Sequence, residues 1–109
     1  MAHPLLEAYF KHEGAEIKTE ISKTIYEQMT YGDYRKTILA SWGVEKFREI
    51  ERGLMFYVNG AKFEGDVKVI LTWADEYEVH LYHDKEEVEV LRSLLFDELV
   101  EVLDTYIET

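Results

Sequence analysis

The stretch WADEYEVHLYHDKEEVEV, residues 73–90, sets two histidines among seven carboxylates and one lysine. Imidazole with carboxylate is a common ligand set for divalent cations and also a general acid–base pair. Spacing decides between these chemistries and a plain surface. YEVHLYH alternates apolar and polar residues, which predicts a strand, and residues three apart on a strand point to opposite faces. His80 and His83 therefore cannot share an ion. The reading is of a strand with His80 and Tyr82 on an open sheet face, and neither metal nor cofactor is expected.

Other chemistries find little support. The chain has no cysteine. Ser22, Ser41 and Ser93 fall in helical or turn settings, without the strand–elbow–helix context of an activated serine. Gly53, Gly60 and Gly65 punctuate a helix cap and a hairpin and do not form a phosphate-cradling loop. The expectation is a protein that is not an enzyme, with a small enzyme built on His80 or His83 as a rival class. Arg35, Lys36, Lys46, Arg48 and Arg52 form the densest basic cluster. Glu45, Glu49 and Glu51 interleave with it, so it reads as a salt-bridged exposed helix, and direct nucleic-acid binding is not expected. Tyr31 and Tyr34 read as packing or interface residues.

The acidic side chains have a sharper pattern. Residues 1–74 carry 11 acidic and 10 basic side chains, whereas residues 75–109 carry 12 acidic and 2 basic ones, Lys85 and Arg92. Nearly all of the net charge of −11 therefore sits in the last third. Such a segment repels nucleic acid and anionic membrane and attracts a basic protein surface. Asp97, Glu101, Asp104 and Glu108 share one face of a predicted closing helix, about 5–6 Å apart along its axis. Asp75, Glu76, Glu78, Asp84, Glu86, Glu87 and Glu89 form a second predicted patch. There, Glu76 with Glu78, and Glu87 with Glu89, would lie about 6.5–7 Å apart on one side of a strand. These intervals resemble the phosphate spacing of a nucleic-acid backbone. Asp104 and Glu108 also oppose the helix dipole, at about 0.3–1 kcal/mol each, which suggests a surface kept for binding and not for stability.

The elements that must position these residues follow from periodicity. At 109 residues, with 47% hydrophobic and 14% aromatic side chains, the chain predicts one domain, 1–109. A short helix is expected over 2–12, with Leu5, Leu6, Tyr9 and Phe10 on one side. A second carries Ile17, Ile21, Ile25 and Met29 at steps of four, and a third carries Tyr34, Ile38 and Trp42, with Asp33 as N-cap and Gly43 as its end. Val44, Phe47 and Ile50 at threes predict a fourth helix closing on Gly53. From Leu54 the period becomes two. Leu54, Phe56 and Val58, then Val67, Val69, Leu71 and Trp73, then Tyr77, Val79 and Leu81 face inward, followed by Val88 and Val90 with Glu87 and Glu89 outward. Phe96, Leu99, Val100, Leu103 and Ile107 return to a helical stripe. The expected fold is α+β: N-terminal helices, an antiparallel meander of three to four strands, and a closing helix packed on one sheet face. The start MAHPLLEAYFKH has neither the basic nor the apolar region of a signal peptide, and no apolar run reaches the roughly 20 residues of a membrane span. A cytoplasmic protein without membrane contact is expected.

YRKTILASWGVEKFREIERGLMFYVNGAKFEGDVKVILTWADEYEVHLYH and LLFDELVEVLDTYIE have the character of the small acidic proteins of phages and mobile elements. In type the chain resembles anti-CRISPR and anti-restriction inhibitors, which are short, acidic and α+β. That resemblance implies an inhibitor occupying the DNA-binding surface of a basic nucleic-acid-binding partner, such as a CRISPR-associated nuclease in the host cytoplasm. It carries over no residues, because these inhibitors share no motif. The basic patch at 35–52 departs from the purest DNA mimics, and the alternative is a structural or interaction module of a mobile element, forming a homodimer through exposed Tyr and Trp.

Overall fold

The computed structural model describes residues 4–109; Ala2 and His3 of the expected first helix lie outside the described residues. Three helices, α1 (Pro4–Glu13), α2 (Glu20–Met29) and α3 (Gly32–Ser41), precede five strands. These are β1 (Glu45–Ile50), β2 (Gly53–Asn59), β3 (Glu64–Leu71), β4 (Tyr77–His83) and β5 (Glu86–Leu94), and α4 (Leu99–Ile107) closes the chain. The strands form one antiparallel sheet in chain order, a meander. The fold is the expected α+β, with five strands in place of three or four.

The additional strand is the expected fourth helix. VEKFREI matches helical spacing locally, yet Glu49 pairs with Leu54 and Ile50 with Gly53 across a two-residue turn. Were this segment helical, β2 would be left as a bare sheet edge. A bulge at Lys46, whose φ is 59°, shifts the alternation so that Phe47 still faces the core, against Phe56 and Tyr26. That bulge produces the spacing of three that mimics a helix. Gly53 is not a cap either. A Cβ there would lie 2.1 Å from the Val69 carbonyl oxygen, so the position is dictated by the close approach of β3.

One core joins the inward strand residues to the helices. Leu54, Phe56, Val58, Val67, Val69, Val79 and Leu81 meet Ile25, Met29, Leu39, Trp42, Leu99, Leu103 and Ile107. Tyr34, Trp73 and Phe96, expected to face inward, do not join it. Tyr34 projects outward because the buried side of α3 is turned toward Leu39. Trp73 lies in the β3–β4 turn, 86% exposed, with the Arg52 guanidinium 3.7 Å above its ring. Phe96 lies in the turn before α4, 55% exposed, because the helix begins three residues later than its apolar period suggests. Asp33 lies in the first turn of α3, which begins one residue earlier, at Gly32.

Glu49 has a role that local spacing does not announce. Its carboxylate accepts the backbone N–H groups of Lys18 and Thr19 and the Thr19 hydroxyl, just where α2 begins. Thr19 provides no side-chain cap itself, so a strand residue satisfies the orphan donors from 30 positions away. Those backbone hydrogen bonds hold the Glu49 pKa below the ordinary 4.5. Because the folded pKa is depressed, the stabilisation is present above the unfolded value and is lost as pH falls through the folded one. A Glu49→Gln variant is expected to be less stable than wild type at neutral pH, with the gap narrowing below about pH 4.5. Urea denaturation at about pH 7 and about pH 3 checks this, and a gap that does not change with pH would contradict it.

Candidate binding surface

The sheet face turned away from the helices is a lattice of paired charges. His80 bonds Glu78 at 2.8 Å through Nε2 and Glu87 at 2.5 Å through Nδ1. Arg92 holds the other Glu78 oxygen at 2.9 Å, and Arg48 holds Asp66 at 3.2 Å. Tyr57 donates to Glu64, which with burial pushes its phenol up to about 12. The hydrogen bond from His80 holds the Glu87 carboxyl below its usual range. Both nitrogens of His80 are thus engaged by carboxylates of its own sheet. His83, one residue beyond Tyr82 and on the other side of the strand, lies 2.9 Å through Nδ1 from the Glu64 carbonyl and 3.5 Å from Asp84. The carbonyl, then Asp84, raises its pKa. The two imidazoles do not converge. Among the described residues no three His, Asp or Glu side chains are arranged to hold a metal ion.

The expected strand patch does not lie on one surface. Asp75 and Glu76 belong to the β3–β4 turn, where the Thr72 hydroxyl accepts the N–H groups of Ala74 and Glu76. Asp84 belongs to the β4–β5 turn, with Glu86 at the start of β5; Asp84 and Lys85 both adopt positive φ, as a tight two-residue hairpin requires. Strand β4 separates these turns by about 20 Å. Glu87 and Glu89 point to opposite sides. A bulge pairs Glu89 with inward Leu81 but Glu87 with outward Tyr82. The same shift places Val90 opposite His80 on the outer face and leaves Val88 51% exposed, so the expected inward valines are corrected. Glu78 and Glu87 lie on the paired-charge face; Glu89 lies on the side of α4.

The helix patch is also divided. Asp97 sits in the turn before α4, Glu101 is exposed, and Glu108 caps the C-terminus. Asp104 turns the other way: its Oδ1 accepts the indole N–H of fully buried Trp42 at 2.8 Å. It is a structural acceptor between α4 and the end of α3. The C-terminal dipole has partners as well. Ile107 O accepts the N–H groups of Lys62 and Phe63, and Lys62 Nζ lies 3.3 Å from Thr105 O. The β2–β3 loop thus compensates the acidic last turn, and the dipole gives less reason for a functional surface than its sequence suggests.

What remains is a set of acids distributed along the side formed by β5 and α4. Tyr77 pairs with Leu94, which brings Asp97 to the sheet end that holds Asp75 and Glu76. The Lys62 and Phe63 bonds to Ile107 bring Glu108 to the opposite end, beside the hairpin of Asp84 and Glu86. Glu101 on α4 and Glu89 on β5 lie between. Among the described residues, Asp75, Glu86, Glu89, Asp97 and Glu101 form no salt bridge. A groove of about 640 Å³ runs along this side, lined by Lys62, Phe63, Leu91, Val102, Thr105 and Tyr106.

The cations expected to cluster are dispersed and mostly engaged. Arg35 bonds Gln28 O, Arg48 bonds Asp66, and Arg52 bonds Leu71 O and Thr72 O. Among the described residues no helix is long and apolar enough to cross a membrane. Fold and surface together define an α+β protein with an antiparallel meander, helices on one face and an acidic flank. No protein-family model, curated protein or solved structure matches the chain.

Proposed function

We propose that the chain is a non-enzymatic, protein-binding inhibitor whose acidic flank occupies the basic nucleic-acid channel of a host defence nuclease, as an anti-CRISPR protein does. One observation carries the reading: Glu86, Glu89, Asp97 and Glu101 lie along one side without a salt-bridging cation among the described residues. On the outer sheet face, by contrast, Glu78 and Asp66 are held by Arg92 and Arg48 within bonding distance. An unmatched row of like charge is electrostatically unfavourable in the free protein and is relieved by a basic surface. The test is DNA cleavage by purified guide-loaded nucleases titrated with the protein. Inhibition that saturates at a fixed molar ratio is expected; undiminished cleavage across such a panel would contradict the reading.

A second reading, a homodimeric interaction module, has its own observation. Tyr31 (78% exposed) and Phe96 (55% exposed) line an apolar cleft of about 420 Å³ together with Arg35. Light scattering over a range of concentrations separates the two readings.

A further inference from the structure

We propose that the groove between β5 and α4 is an anchor pocket, taking one apolar side chain from a partner segment that carries arginine or lysine on both sides of it. The inference rests on the proposed docking role of the acidic flank and adds the chemistry of the partner. Phe63, Leu91, Val102 and Tyr106 are partly buried, packed on the core at their base and open above. The Phe63 and Tyr106 rings meet edge to face at 5.5 Å, which fixes one wall. A groove of about 640 Å³ is ample for a leucine, phenylalanine or tryptophan side chain.

The surroundings select what accompanies that side chain. Glu89 projects to this side of the sheet, opposite Leu81; burial first, and Glu89 second, raise the Tyr106 phenol above its usual range. Glu101 stands one helical turn before Thr105, on the same side of α4. Lys62 is the cation among the lining residues, and its ammonium reaches the Thr105 carbonyl at the helix end. The carboxylates of Glu89 and Glu101 thus flank an apolar floor whose one charged lining residue, Lys62, is turned to the helix end. A second copy of this chain would bring the same carboxylates against it, which like-charge repulsion opposes. Mimicry of phosphates alone needs no apolar pocket. A basic segment with an apolar anchor matches both features, in the manner of a buried hot spot within a charged rim.

The probes are three synthetic nonapeptides, read by methyl NMR at Leu91 and Val102 and by fluorescence anisotropy. One has a central tryptophan between lysine and arginine flanks, the second has alanine at its centre, and the third keeps tryptophan between glutamate flanks. The first is expected to bind about tenfold or more tighter than the second, to shift the Leu91 and Val102 methyls, and to lose that advantage with Thr105→Trp, which fills the groove from an exposed position. Equal affinity of the first two peptides with unmoved methyls would overturn the anchor while leaving the acidic docking surface standing. Failure of both basic peptides to bind would overturn both. Equally tight binding of the glutamate-flanked peptide would overturn the assignment of a basic partner.

Discussion

Trp42→Ala is expected to lower the unfolding free energy by about 3–5 kcal/mol, a large part of the roughly 5–15 kcal/mol usual for a domain of this size. Trp42 is fully buried, between the end of α3 and β1, and it tightens three junctions at once. Its side chain fills the core against the helices and sheet. Its indole N–H donates to Asp104 on α4, and its carbonyl accepts the Asn59 N–H at the end of β2. Truncation removes the packed volume and leaves a cavity between layers that cannot collapse freely. Asp104→Ala keeps the ring but leaves a buried indole N–H without an acceptor, for which about 1–3 kcal/mol is expected. Asp104→Asn retains an acceptor oxygen and is expected to be much milder. Urea denaturation of the three variants checks the order. An Asp104→Ala cost no larger than that of Asp104→Asn would show that the indole bond contributes nothing. Asp104 is also a poor probe of docking, since Asp104→Lys would weaken binding by disturbing the fold.

The proposed docking surface is better probed by Glu86, Asp97 and Glu101, which are exposed and, among the described residues, form no salt bridge. Reversing all three to lysine is expected to weaken binding to a basic target about a hundredfold, taking about 1 kcal/mol for each reversed charge. A control carries the same charge change elsewhere: Glu7, Glu16 and Glu27, exposed on or beside α1 and α2, reversed to lysine. If net charge alone governed attraction, both triple variants would bind equally weakly. The acidic flank predicts that the control keeps most of its affinity, with urea midpoints confirming that both variants are folded. Isothermal titration with the inhibited nuclease measures the contrast.

The strands β2, β3 and β4 were legible because their alternation is clean and each has one buried face. Leu54, Phe56, Val58, Val67, Val69, Val79 and Leu81 all point where period two sends them. β1 was not legible as a strand, and β5 was legible as a strand but not in its faces, for one physical reason: both are edge strands with bulges, and a bulge adds a residue that breaks the period. At β1 the break imitates a helix; at β5 it exchanges the faces of Glu89 and Val90. The opposed faces of His80 and His83 followed from the same alternation. The concentration of acid in the last third was plain from composition, but its arrangement was not. Asp104 and Glu49 have partners 62 and 30–31 residues away, Trp42 at one and Thr19 and Lys18 at the other, and no local pattern announces such contacts. The groove is not encoded locally either, since Phe63, Leu91 and Tyr106 come from three separate parts of the chain.

The central claim is that unmatched carboxylates on one flank displace nucleic acid from a basic protein channel. The direct measurement is displacement of a fluorescent DNA duplex from a guide-loaded nuclease by the protein, followed from about 50 to about 500 mM salt, where the Debye length shrinks from above about 10 Å to below about 5 Å. The account predicts strong displacement at low salt that falls steeply as salt rises, and its loss at all salt concentrations when Glu86, Asp97 and Glu101 are reversed. Displacement that stays flat across the salt range, or that survives the triple reversal, would contradict it.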